Sequence, residues 1–156
     1  MKDYDINIKG SCEVKVFGTN DNTMVVPASV KFDSDRNKAD IDIKDERDVK
    51  IGIPGQAEKI ELNITDSRIS VTDIKFEQLE IDGKGDITIE VSGVEGKIDI
   101  NMIGGTAKLM VPSGFAFSTE CKGKNNRIEC DLAEDQTSPV RIELNGKDTR
   151  LTIVNG

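Results

Sequence analysis

Apolar and polar residues alternate along almost the whole chain. Ile41/Ile43, Ile51/Ile53, Ile60/Leu62/Ile64, Ile69/Val71, Leu79/Ile81 and Ile87/Ile89/Val91 are each spaced two apart. The pattern continues through Ile98/Ile100/Met102, Leu109/Val111, Phe115/Phe117, Ile128/Cys130/Leu132, Val140/Ile142/Leu144 and Leu151/Ile153. A spacing of two puts every apolar side chain on one side of a strand, whereas a helix needs spacings of three and four. Ile6/Ile8, Val14/Val16 and Val30/Phe32 extend the same reading to the N-terminal part. Strand centres fall about ten residues apart, the interval of all-β folds. No shift in composition marks a linker, so residues 1–156 are expected to form a single repetitive all-β domain.

Turn formers sit between the strands: "DGKGD", "SGVEG", "IGG", "PSG", "KNN" and "LNGKD". Glycine and asparagine supply the positive φ of tight turns. Three strands are expected to end at an apolar residue before proline, at Val26-Pro27, Ile53-Pro54 and Val111-Pro112, because proline cannot donate to a ladder. Two architectures accommodate many short strands, a β-sandwich and a β-solenoid. The even spacing from Ile60 to Val111 favours the solenoid, with two short strands and about twenty residues in each coil. The β-sandwich is the alternative. In the solenoid, strands stack on every second neighbour. Glu61, Glu80 and Asp99 then form one outward column, and Ser70, Thr88 and Lys108 another.

The glycine-punctuated repeats, with "KLMVPSGFAFSTE" followed by a turn and "RIEC", resemble the bacterial putative-adhesin family from about Val49 to the C-terminus. That resemblance implies a repetitive β-solenoid without a catalytic signature, tethered at the cell envelope.

Composition narrows the chemistry. There is no histidine, which removes Ser-His-Asp and Cys-His catalysis and histidine-ligated zinc. With 29 acidic against 21 basic residues the formal charge is −8, which opposes binding to nucleic acid or to anionic lipid. The opening "MKDYDINIKG" has no apolar signal core, and no stretch approaches the roughly 18 apolar residues of a membrane helix. The chain as given is thus expected to be cytoplasmic and not to insert in a membrane, while the family resemblance implies the envelope.

No catalytic residue, metal site or cofactor is expected. Asp33, Asp35 and Asn37 have the spacing of a calcium loop, but Lys38 and Lys44 stand where that loop needs glycine and a closing glutamate. Glu61, Glu80 and Asp99 are the candidate ligand-facing residues, against the plainer expectation of a solvated face. If Asn125-Asn126 closes a hairpin, Cys121 lies opposite Cys130 and the pair can form a disulfide. Buried free thiols packed as small hydrophobes are the favoured reading, and the disulfide is the alternative. The expected function is a non-enzymatic structural or interaction module that presents flat surfaces to a protein or cell-surface partner. Self-association through the terminal strands is expected from their open edges. A polysaccharide-binding or carbohydrate-active solenoid using the acidic column is the second expectation. Its weakness is a scarcity of aromatic platforms, with one Tyr, five Phe and no Trp.

Overall fold

The alternation predicted from the sequence is built into one twelve-stranded sheet in the computed structural model, which describes residues 2–156. The strands are β1 (Asp3–Lys9), β2 (Glu13–Thr19), β3 (Lys31–Ser34), β4 (Lys38–Lys44), β5 (Asp48–Pro54) and β6 (Gln56–Thr72). They continue with β7 (Lys75–Glu90), β8 (Gly93–Val111), β9 (Ser118–Cys121), β10 (Arg127–Cys130), β11 (Arg141–Lys147) and β12 (Arg150–Asn155). No helix occurs among the described residues. The named strands pair in parallel throughout, except for the antiparallel pair of β3 with β4.

Each coil has a first run, a corner and a second run. In β6, β7 and β8 a single long strand bends through the corner, and both halves pair with the corresponding halves of the next strand. Elsewhere the corner splits the coil into two strands, as in β1 and β2. Every second residue points inward, so columns of side chains run along the stack. Ile41, Ile6, Leu62, Ile81, Ile100 and Leu144 form one such column on the first run. Val49, Val14, Ile69, Ile87, Ala107 and Leu151 form one on the second. Both runs feed one hydrophobic cluster, in which most of these side chains are almost fully buried. Burying each Ile or Leu contributes roughly 1.5–3 kcal/mol, which makes this interior the main source of stability. Parallel strands are usually covered on both faces. Here the outer face meets solvent, and that is why the polar half of the alternation is present.

The corners need left-handed backbone. Gly83, at φ 118°, lies so close to the preceding coil that a Cβ there would overlap the Ile64 carbonyl oxygen. Ser67 seals the neighbouring corner, accepting the Cys12 N–H at 3.2 Å and donating to the Gly10 carbonyl at 2.6 Å.

Stacking on every second neighbour holds through the middle of the molecule and fails at both ends. Along the stack the first runs follow the order β4, β1, β6, β7, β8, β11, β9. The opening coil is therefore second from one end, and the closing coil second from the other. Residues 20–37 carry the chain outward to make the terminal coil of β4 and β5, and Gly55 then brings it back across β2. The Gly55 N–H donates to the Thr19 carbonyl at 3.2 Å. Gly18 lies under this crossing, where a Cβ would overlap the Asp73 carbonyl oxygen.

Local expectations at the ends are also corrected. Val26-Pro27 does not end a strand; Val25 makes an isolated antiparallel bridge to Gly52. Phe115, Phe117 and Leu132 lie outside the strands.

Candidate interaction face

The outward positions of the first runs form three adjacent columns. The middle column is acidic over seven coils: Asp40, Asp5, Glu61, Glu80, Asp99, Glu143 and Glu120. Glu61, Glu80 and Asp99 are thus in the register expected of them, and so are Ser70, Thr88 and Lys108 on the second run. Adjacent parallel strands are about 4.8 Å apart, so this column is a line of like charges at close spacing.

A cationic column on one side neutralises much of it. Lys38 reaches Asp5 at 2.7 Å, Lys59 reaches Glu80 at 3.0 Å, and Lys97 reaches Glu143 at 3.0 Å. Arg141 lies 3.5 Å from Glu120. Each cation thus leans onto the carboxylate of the next coil. On the other side runs a column of amides and acids: Asp42, Asn7, Asn63, Asp82, Asn101 and Asn145. Asn63 donates to Asn7 at 2.9 Å, and Asn7 donates to Asp42 at 3.0 Å. These outer columns stiffen the same inter-coil contacts that the backbone makes.

The neutralisation has a gap. Among the described residues no cation pairs with Glu61 or with Asp82. Glu61 is held above the ordinary carboxylate range, first by burial and then by the charge of Asp5, with which it shares a hydrogen bond, and of Glu80. Asp82 is raised by burial and by Glu80, against a hydrogen bond from Asn101. One carboxylate oxygen from each of Glu61, Glu80 and Asp82 lies within 4.8 Å of the others. Such a hard oxygen set is of the type that takes a calcium or magnesium ion, although Lys59 already occupies Glu80. Asp82 was missed in the sequence; its signal is the outward spacing of two from Glu80.

Lys97 lies between two acids of unlike behaviour. Its hydrogen bond lowers Glu143, while burial raises Asp99. Asp99 Oδ1 is buried and 3.3 Å from Lys97 Nζ, within ion-pair distance but without a hydrogen bond of its own.

The remaining sequence candidates have structural places. Asp35 accepts the N–H groups of Asn37 at 2.8 Å and Lys38 at 2.9 Å, so the calcium-like spacing is a turn joining β3 to β4. The hairpin that would set Cys121 against Cys130 is not formed. "KNN" is a coil corner with Asn125 at φ 55°, Cys121 lies in register with Leu144, and Cys130 with Ile153. Both thiols are free.

The fold and this face define an all-β stack of mostly parallel coils with polar ladders on its outer surface. A putative cell adhesion protein from Clostridium sporogenes ATCC 15579, solved by crystallography, shares the fold with a TM-score of 0.69. The match covers 99% of this chain and 93% of that one at 14% sequence identity. No protein-family model and no curated protein matches the chain. Among the described residues no helix is long and apolar enough to cross a membrane.

Proposed function

We propose that this protein is a non-enzymatic, adhesin-like interaction module of the cell envelope, engaging a protein or polymer partner through the acidic face of its first runs. The observation that carries the reading is the gap in charge neutralisation at Glu61 and Asp82. The six other acids of the middle column each lie within ion-pair distance of a cation, so Glu61, with Asp82 beside it, leaves unpaired negative charge in the middle of a flat surface. A partner with cationic groups, or one bridged by a divalent cation, regains that attraction on docking. The shared fold of the C. sporogenes protein supports adhesion as the class of task.

The test is retention of labelled protein on a panel of immobilised cell-surface proteins and polysaccharides. A partner bound through this face loses the protein when Glu61→Lys and Asp82→Lys are combined, and binds less as salt rises. A partner indifferent to both changes, or turnover of any polysaccharide, sinks the reading.

A polysaccharide-binding or carbohydrate-active role for Glu61, Glu80 and Asp99 is favoured by one observation, their alignment on successive coils. Against it, Glu80 and Asp99 are engaged by Lys59 and Lys97. The exposed large apolar side chains are Val25, Phe32 and Ile103, and Phe32, the one aromatic, lies on the terminal strand β3. No aromatic platform therefore flanks the three acids.

A further inference from the structure

The two ends of the stack are finished differently. At the β4/β5 end the core is sealed: Ile41, Ile43, Ile51 and Ile53 are at most 1% exposed, because β3 pairs outside β4 and Val25 bridges Gly52. At the β9/β10 end Ile128 and Cys130 occupy core columns, yet they are only partly buried. Half of this end is closed. Glu134 accepts the Thr119 N–H at 2.6 Å, and the Asp135 N–H donates to the Phe117 carbonyl at 2.8 Å, so the outer edge of β9 is occupied at its start, although Cys121 at its end is exposed.

The outer edge of β10 has no such cover. The Arg127 N–H donates inward, to the Thr149 carbonyl at 3.0 Å. Alternation then turns the backbone groups of Arg127 and Glu129 toward β12, and those of Ile128 and Cys130 away from it. The side chains alternate in the opposite sense to solvent: Arg127 and Glu129 project outward, and Ile128 projects to the core.

We infer that β10 pairs with β10 of a second copy of this chain, antiparallel, about a two-fold axis through Ile128. The sequence Arg127-Ile128-Glu129 is complementary to itself in that arrangement. Ile128 faces Ile128 of the other copy, and the two exchange N–H···O=C bonds. Arg127 faces Glu129 twice, in the non-hydrogen-bonded positions where cross-strand side chains approach most closely. These two residues now pair within one strand at 3.2 Å, and exposed pairs of this kind exchange partners readily. The same contact covers the half-exposed end of the core. It involves the end of the stack and not its acidic face, so it stands or falls independently of the proposed function. The interface is short, which makes the dimer weak, with a dissociation constant on the order of 10⁻⁴ M.

Sedimentation velocity on the purified chain from about 10 µM to about 1 mM brackets that affinity. The mass is expected to rise from 17.1 kDa toward twice that value. Arg127→Glu alone and Glu129→Arg alone each place like charges across the axis and weaken association roughly tenfold or more. Mixed together, those two variants restore it, because an all-acidic edge then meets an all-basic one. Exchange of the Ile128 amide hydrogen in the unaltered protein slows as concentration rises, a readout that needs no variant. A monomer at the highest concentration, a dimer that ignores both charge changes, variants that fail to associate when mixed, or a monomer whose β10 captures an unrelated extended peptide would each overturn the inference.

Discussion

Replacing Glu61 by glutamine should make the protein more stable at neutral pH. In the stack Glu61 lies between Asp5 and Glu80, at the roughly 4.8 Å spacing of neighbouring strands. Like charges directly opposite one another cost about 0.2–1 kcal/mol per pair. Both neighbours are partly neutralised, Asp5 by Lys38 and Glu80 by Lys59, so the lower half of that range applies to each. Glutamine keeps the shape and removes both repulsions, for a gain of roughly 0.5–1 kcal/mol. In a domain of this size that raises the melting temperature by about 1–4 °C. The pH dependence follows from the raised pKa of Glu61, caused first by burial and then by the charge of Asp5 and Glu80. The folded protein holds the Glu61 proton more tightly than the unfolded chain, whose value is about 4.3. Stability from this group is therefore complete below the unfolded value and is lost as pH rises through the higher folded value. The advantage of Glu61→Gln should be largest at neutral pH and low salt, and should disappear near pH 4. Urea denaturation of both proteins at the two pH values measures it. A glutamine variant that is less stable at neutral pH, or equally favoured at both, would show that burial and repulsion along the column do not destabilise the charged form of Glu61.

Two further substitutions probe the frame that holds the face. Gly18→Ala drives a methyl group into the Asp73 carbonyl at the crossing of the first two coils, and should cost about 1–3 kcal/mol in denaturant unfolding. Gly93→Ala is its control: the new methyl meets only the flexible Lys75 side chain at 3.3 Å, and a change beyond about 0.5 kcal/mol would be unexpected for such a site. Ser67→Ala removes a hydroxyl that is 2% exposed and leaves the Cys12 N–H and the Gly10 carbonyl without that partner. The expected loss is about 1–3 kcal/mol, accompanied by faster amide exchange at Cys12; an unchanged exchange rate would mean that water takes over the bond.

The middle of the fold was legible because its repeat is regular. From Ile60 to Val111 the inward residues recur at almost constant intervals, so the register of Glu61, Glu80 and Asp99 followed from counting. The ends were not legible in the same way. Alternation says which side chains face inward but carries no information on which coil lies beside which. Ile6 stacks on Leu62 and on Ile41 equally well, since one aliphatic side chain fills a column much as another does. What fixes the order is steric and local: Gly18 permits the crossing, and residues 20–37 are long enough to lead the chain outside its own first coil. Cys121 and Cys130 show the same division. Their inward parity was readable, but the partners depend on whether "KNN" is a hairpin or a corner, and Asn125 suits either.

The charge pattern extends the argument from fold to task. A column of seven acids is tolerable only if cations lie beside it, and each of Lys38, Lys59, Lys97 and Arg141 leans onto an acid of the next coil. Stability alone would favour neutralising Glu61 and Asp82 as well, for instance by a cation at Asn63, which lies in register with Asp82. Instead Asn63 continues the amide ladder through Asn7, and the negative charge is left in the middle of the face. A residue set that maximised solubility would scatter such charges, whereas this one concentrates two of them on a rigid surface where a partner can meet both at once. That concentration, rather than the total charge of −8, is the feature on which the proposed binding role rests.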